Sequence, residues 1–148
     1  AMKLVEPAAA RSGVVLIMER TGETAPLLAD EARLAQALCN LIQNAVDVTP
    51  AGETVRLRYG TSEEHAFFQV LDRGPGVRVP RHQNIFAPFY SNKEGGTGLG
   101  LPIAMRIADA HGGRITWTNL PDHGACFDLR VPVAPPRPME IFPEPPGP

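Results

Sequence analysis

The chain has little cysteine, no excess of charge and no long apolar run. Cys39 and Cys126 are the only cysteines among 148 residues, too few for a disulfide framework, so we interpret both as core residues of a cytoplasmic protein without a cysteine metal site. The formal net charge is -2 and the pI is near 6.1, which gives no electrostatic case for binding nucleic acid or an anionic membrane. No apolar run is long enough to span a bilayer, and the first residues lack the apolar core of a signal peptide.

What the chain does have is the composition of one globular domain. Hydrophobic residues make up 43% and charged residues 20%, which is ordinary for a chain that buries a core. We expect a lead-in or linker over residues 1–13, a domain over residues 14–133, and a disordered, proline-rich tail over residues 134–148. The tail is predicted because residues 132–148 hold half of the 16 prolines.

Apolar spacing predicts two main helices. Asp30 is a candidate N-cap for a helix whose apolar residues recur at steps of three and four, and breaker residues at 49–52 end it. A second helix is predicted over residues 99–111, where Pro102 is tolerated because it lies in the first turn.

Alternating and β-branched runs predict the strands. Residues 14–18 and 25–29 are predicted to be two short strands that pair with each other. Two antiparallel hairpins are predicted, one joining residues 55–59 to 66–71 and the other joining residues 114–118 to 125–131. Helices interleaved with antiparallel pairs predict an α/β fold, a two-layer α/β sandwich whose mixed sheet carries helices on one face.

Three polar residues share one face of the first main helix. Asn40, Asn44 and Asp47 recur at helical spacing beside the apolar face, where a solvated surface more often carries Lys, Glu and Arg. One interpretation is that the amides hold a neighbouring loop. The other is a face that binds a metal ion and phosphates, and spacing alone leaves both open.

Asp72 stands where the first hairpin ends, directly before a turn that contains Gly74 and Gly76. A carboxylate there can accept a hydrogen bond from the exocyclic amine of adenine, and would favour adenine over guanine, which offers a carbonyl at that point. The plain alternative is an aspartate that only opens a turn. In either case the two glycines supply a positive φ or a close backbone approach.

A glycine-rich loop precedes the last helix. Gly96, Gly98 and Gly100 leave backbone N–H groups near a helix start, which suits a triphosphate. The spacing matches neither a Walker loop nor a dinucleotide-binding turn, because no Gly-Lys-Ser/Thr follows and no strand leads into it. Lys93 and Thr97 could add a charge and a hydroxyl, or be ordinary loop residues.

Phe86, Phe89 and Tyr90 are three aromatic residues in a run of five beside this loop. They either pack a hinge onto the core or, through that packing, set whether a mobile lid is open or closed. Each of these features is weak alone, whereas their order along the chain is specific.

In that order, NLIQNA, DRGPG, FAPF and GGTGLGL resemble the ATP-binding domain of sensor histidine kinases, a branch of the Bergerat-fold ATPases, over about residues 25–133. The resemblance implies that Asn44 is catalytic and is the Mg²⁺ ligand that bridges phosphates, and that Asp72 binds adenine. It also implies a flexible ATP lid that includes Lys93 as a second catalytic residue. The residues it implies to bind ATP are Asn40, Asn44, Asp47, Asp72, Gly74, Gly76, Val77, Phe86, Lys93, Gly96, Thr97, Gly98, Leu99, Gly100 and Leu101.

Two positions depart from the family's pattern. Asp47 stands where the family often has Lys or Arg three residues after the Mg²⁺-binding asparagine, so an acid replaces a cation near the phosphates. Gly124-Ala125 stands where the family often has Gly-Thr, so a hydroxyl that supports the adenine pocket is absent.

The resemblance also implies transfer of the γ-phosphoryl group of ATP to a histidine and then to the receiver domain of a response regulator. In the family the acceptor histidine lies on a helical dimerisation domain and is followed by Asp or Glu, and none of the 4 histidines here has that context. We therefore expect the acceptor domain to lie outside these residues, in a kinase that is homodimeric although this fragment is a monomer.

Two other functions stay open. One is another Bergerat ATPase, such as a chaperone, a type II topoisomerase, a mismatch-repair clamp or an anti-sigma serine kinase. The FAPF motif at residues 86–89, which matches the family's phenylalanine box, and the compact lid favour the histidine kinase. The other is a module of the same fold that binds a nucleotide or a partner with little catalysis, and Asp47 and Ala125 favour it.

Overall fold

The computed structural model describes residues 1–79, 84–88 and 98–133. The strands within them are β1 Val15–Arg20, β2 Thr54–Thr61, β3 His65–Leu71, β4 Arg114–Asn119 and β5 Ala125–Pro132. The helices are α1 Met2–Ser12, α2 Glu31–Val48 and α3 Gly100–Ala110. The strands form one five-stranded sheet in the order β1-β2-β3-β5-β4.

The sheet is mixed, as the sequence predicts. β1 runs parallel to β2, and the other neighbouring strands are antiparallel. Both predicted hairpins are confirmed as β2–β3 and β4–β5. In the centre, Val70 lies opposite Leu57 on one side and Phe127 on the other, and all three are buried. Because side chains alternate across a strand, this row marks the side of the sheet that faces the core.

The helices cover that side of the sheet. α2 begins at Glu31 because the Asp30 side chain accepts a hydrogen bond from the Arg33 N–H at 3.1 Å, so the predicted N-cap is confirmed. The apolar face of α2, including Leu41 and Ile42, packs on β2 and β3. α3 contacts α2 and the strands β4 and β5, and α1 contacts α2 and β1. The predicted two-layer α/β sandwich is confirmed.

The first 13 residues differ from the loose lead-in that the sequence predicts. They contain α1, which buries Val5 and Ala9 one turn apart and ends at Gly13, where φ is +69°. The helical pattern was missed because only these two small apolar residues mark its buried face and Pro7 interrupts it. The domain boundaries themselves stay a prediction, and the tail at 134–148 lies outside the described residues.

The predicted strand at residues 25–29 is wrong. The chain makes only an isolated bridge there, between Glu23 and Thr61, in which the Thr61 N–H donates to the Glu23 carbonyl at 2.7 Å. Pro26 lacks the N–H that a strand ladder would need, so pairing does not extend beyond the bridge. Among the described residues, no helix is both long enough and apolar enough to cross a membrane.

Two leucines provide a matched test of this core. Leu129 is fully buried in β5, whereas Leu28 is 77% exposed ahead of α2. We expect Leu129→Ala to lower the free energy of unfolding by about 2–5 kcal/mol, because a buried cavity replaces lost contacts. Leu28→Ala should change it by less than about 0.5 kcal/mol. Urea unfolding of both variants measures the difference, and equal losses would contradict the placement of β5 at the centre of the core.

Candidate functional site

Asp72 follows the last residue of β3 and is only 2% exposed. Its Oδ1 accepts hydrogen bonds from the Gly74 N–H at 2.9 Å and the Ala125 N–H at 3.1 Å. The backbone N–H of Asp72 in turn donates to the Ala125 carbonyl at 2.9 Å. Both side-chain bonds use one oxygen, so Oδ2 is the oxygen left to accept from a ligand.

Burial raises the pKa of the Asp72 carboxyl above its ordinary value, and the hydrogen bonds from Gly74 and Ala125 act in the opposite direction. The folded chain therefore keeps this carboxylate at a cost in folding free energy. A buried acid that the fold holds in place despite this cost is typical of a binding or catalytic site.

Glycines allow the backbone to close around this carboxylate. A Cβ on Gly74 would lie 2.7 Å from the carbonyl oxygen of Val48, so the turn can lie against the end of α2 only without a side chain. Gly124 has a φ of +94°, and a Cβ there would lie 2.1 Å from the carbonyl oxygen of Asp72. The close approach predicted for Gly74 is confirmed, and the positive φ predicted for this turn occurs at Gly76, where φ is +80°.

Two further residues fix this turn, and sequence reasoning missed both. Thr49 is buried, and its Oγ1 accepts a hydrogen bond from the Arg73 N–H at 3.2 Å. Asn119, the last residue of β4, bonds both backbone groups of Val77. Thr49 was interpreted only as part of the helix end, and Asn119 lies just beyond the strand predicted at residues 114–118, so neither was identified from the sequence.

The polar face of α2 links this end of the sheet to α3. The Asn40 Nδ2 donates to the Gly100 carbonyl at 3.2 Å, which is the loop-holding role left open by the sequence. Asp47 is exposed, and its Oδ1 accepts from the Gln43 Nε2 at 2.8 Å. Asn44 is half-buried between them on the same face.

The start of α3 offers backbone donors. Gly98 has a φ of +68°, Leu99 occupies the N-cap position, and the helix runs from Gly100. The first N–H groups of a helix have no partner within it, so those of Gly100 and Leu101 are available to an anion. Asn40, which contacts Gly100, and Asp47 lie seven residues apart on α2. They are therefore about 10 Å apart along the helix axis.

The phenylalanine box is described only in part. Phe86 is half-buried against the core, and its N–H donates to the Asn84 Oδ1 at 2.9 Å. Its neighbour Ile85 is buried, which the sequence analysis did not identify. The predicted site residues Lys93, Gly96 and Thr97, with the aromatic residues at 89 and 90, lie outside the described residues.

An open groove of about 870 Å³ lies elsewhere, where α2 begins and α3 ends. Asp30, Arg33 and His111 line it together with small and apolar residues. Since the turn after Asp72 contacts the opposite end of α2, through Arg73 and Gly74, this groove is separate from the site described above.

Comparison with known proteins identifies a family and several similar sequences. The family described as histidine kinase-, DNA gyrase B-, and HSP90-like ATPase matches residues 29–135. The signal transduction histidine-protein kinase AtoS of Escherichia coli is 36% identical over 133 residues, which are 89% of this chain and 22% of AtoS. The sensor protein TorS of the same species is 41% identical over 109 residues, which are 72% of this chain and 12% of TorS. The chain thus spans less than a quarter of these curated relatives.

Solved structures of histidine kinases are also similar to this chain. The catalytic domain of the histidine kinase ThkA superposes with a TM-score of 0.77 at 31% identity, covering 90% of this chain and 89% of that one. Full-length ShkA in complex with AMPPNP superposes with a TM-score of 0.79 at 34% identity, covering 89% of this chain and 28% of that one.

Asp72→Asn tests the cost of the buried charge. The amide keeps an oxygen for the Gly74 and Ala125 N–H groups and removes the charge that burial disfavours. Because the pKa is raised, the folded state binds this proton more tightly than the unfolded state does, so the cost is present at neutral pH and disappears as the pH falls below the ordinary value for Asp. We expect the variant to be at least as stable as the wild type at pH 7.

Urea unfolding at a series of pH values from about 7 to 3 measures this difference. The stability of the two proteins should converge on acidification. A variant that is clearly less stable at neutral pH, and recovers on acidification, would mean that the carboxylate stabilises the fold.

Proposed function

Because the chain belongs to the histidine kinase-, DNA gyrase B-, and HSP90-like ATPase family, as the catalytic domain of a sensor histidine kinase, we propose that it binds Mg²⁺-ATP with Asp72 on the adenine. We further propose that it delivers the γ-phosphoryl group to a histidine on a separate dimerisation domain, for relay to a response regulator. We propose the cytoplasm as the site of this reaction.

The observation that carries the proposal is the geometry of Asp72. Its Oδ1 accepts from two backbone N–H groups, which leaves Oδ2 as the acceptor proposed to bind the ligand. Adenine presents an amine donor at the position where guanine presents a carbonyl, so this oxygen favours adenine. Val77 and Phe86, both half-buried beside the turn, are the apolar surfaces proposed to contact the base.

The phosphates are proposed to bind at the start of α3 and along α2. The N–H groups of Gly100 and Leu101 and the helix dipole suit an anion there. The described residues contain no cluster of three or more acidic, histidine or cysteine ligands. Mg²⁺ binds through few protein ligands together with phosphates and water, and Asn44 would hold it through its amide oxygen.

Bound Mg²⁺ would neutralise charge on the phosphates. The chain itself would position the nucleotide, since phosphoryl transfer depends mainly on alignment and charge stabilisation. The bond between the γ-phosphorus and ADP breaks as a phosphorus–nitrogen bond forms on the acceptor imidazole. Lys93 and Thr97 are proposed to contact the phosphates, and Gly96 to let the backbone approach them.

The acceptor is proposed to come from another domain. The His111 ring bonds the Asp30 N–H through Nε2 and the Ile107 carbonyl through Nδ1, so both of its nitrogens are engaged. His65 lies at the start of β3 and His123 in the β4–β5 turn, and neither is on a helix. A domain without its acceptor would bind nucleotide and transfer little alone.

The second candidate is a domain that binds nucleotide with little transfer. The observation that favours it is Asp47, an exposed acid on the face proposed to approach the phosphates. The absence of a hydroxyl at Ala125 weighs less, because its backbone N–H already supports Asp72. Binding and transfer measured separately distinguish the two functions.

Calorimetric titration with ATP and Mg²⁺ tests the adenine contact. In Asp72→Asn the amide oxygen stays on the two N–H donors, so its NH₂ group faces the adenine amine and repels it. We expect the affinity for ATP to fall by about tenfold or more, the value of a lost charged hydrogen bond. The affinity for inosine triphosphate, which has a carbonyl there, should fall less.

Asp109→Asn is the matched control, because it removes the same charge from an exposed position on α3. It should bind ATP as the wild type does. Equal affinity of all three proteins for ATP would contradict the assignment of Asp72.

Asn44→Ala tests catalysis separately. Transfer from ATP to a supplied dimerisation domain should drop to background, because the proposed Mg²⁺ ligand is lost. Gln36→Ala, at an exposed position two turns earlier on α2, should transfer normally. Radiolabelled phosphate on the acceptor is the measurement, and undiminished transfer by Asn44→Ala would rule out its proposed role.

A further inference from the structure

We propose that Asn119 is a positioning residue for the adenine pocket, and that its side-chain amide holds the Gly76–Val77 turn in the shape that receives the base. This inference rests on the proposed function, since it concerns the same site. Asn119 lies outside the four sequence boxes and is 42 residues from Val77 in the chain.

The side chain of Asn119 bonds Val77 as a neighbouring strand would. The Val77 N–H donates to Oδ1 at 2.8 Å, and Nδ2 donates to the Val77 carbonyl at 3.1 Å. A carboxamide carries one acceptor and one donor group side by side, which matches the N–H and carbonyl of a single residue. The turn therefore gains the two bonds of a ladder partner from a single side chain.

The position of Asn119 on β4 brings its amide to the site. Ile115 and Asn119 are four residues apart, so their side chains lie on the same side of the strand, and Ile115 is buried in the core. Asn119 is the last residue of β4, level with Ala125 on β5, whose N–H binds Asp72. The β4–β5 hairpin thus contacts Asp72 through β5 and the Gly76–Val77 turn through β4.

Gly76 lies close against the side chain of Asn119. Its φ is +80°, and a Cβ there would lie 3.0 Å from the Asn119 Oδ1. The amide and the turn therefore fit each other closely only with glycine at this position. Since Asn119 is itself exposed, it contributes little to the core, and its two bonds act mainly on the local conformation of the turn.

Loss of the Asn119 amide should reduce the affinity for ATP because the turn would no longer be preorganised for binding. Without Asn119 the turn would sample more conformations in the free protein, and the ligand would have to order it on binding. Asn119→Ala removes both bonds. Asn119→Asp keeps an acceptor for the Val77 N–H but places a carboxylate against the Val77 carbonyl, so it should fail in the same direction.

The experiment compares Asn119→Ala and Asn119→Asp with Thr118→Ala in the full chain. Thr118 is exposed and, by alternation, faces the opposite side of the same strand. We expect both Asn119 variants to bind Mg²⁺-ATP about tenfold more weakly, and their preference for ATP over inosine triphosphate to fall. Thermal unfolding without ligand should stay near that of the wild type.

Amide hydrogen exchange of Val77 in the ligand-free chain is the second measurement. We expect it to be faster in both Asn119 variants and unchanged in Thr118→Ala, a local effect that a general loss of stability would not produce. No ATP binding by the wild type would overturn the proposed function. Wild-type ATP binding together with unchanged affinity in Asn119→Ala, or unchanged Val77 exchange, would overturn this inference alone.

Discussion

The site depends on one interaction, the carboxylate of Asp72 held by the N–H groups of Gly74 and Ala125. One donor is local and the other comes from β5, so the acid is fixed only when the two hairpins of the sheet are joined. The glycines at 74 and 124 exist in this arrangement because any side chain would collide with Val48 or with Asp72 itself. Folding of the sheet and formation of the pocket are therefore one event.

Burial of the Asp72 carboxylate lowers the stability of the fold, whereas the proposed function requires that carboxylate. Burial raises the pKa of Asp72, so the fold bears a cost for the ionised acid that is proposed to bind the amine of the base. The two N–H donors offset part of that cost without occupying the second oxygen. A fold that kept the acid exposed would avoid the cost, but water would then compete for the same hydrogen bond.

The sequence was informative wherever chemistry was local. The Asp30 cap, the two hairpins, the strand end at Asp72 and the close approach at Gly74 all follow from residue type and spacing. It was uninformative where a contact joins distant segments, as with Asn119 and Val77, because an asparagine beside a turn has many ordinary explanations. α1 was missed for a related reason, since its buried face becomes recognisable only against α2.

The β4–β5 hairpin has a consequence for how base preference and phosphate chemistry are divided. Its two strands contact the part of the site proposed to bind the base, through Asn119 and Ala125, whereas Asn40 and α3 belong to the part proposed to bind the phosphates. The hairpin therefore fixes both Asp72 and the Gly76–Val77 turn through one structural element, which is separate from the helices proposed to hold the phosphates. A change in this hairpin should therefore affect the proposed contact with the base more than the proposed phosphate contacts of α2 and α3.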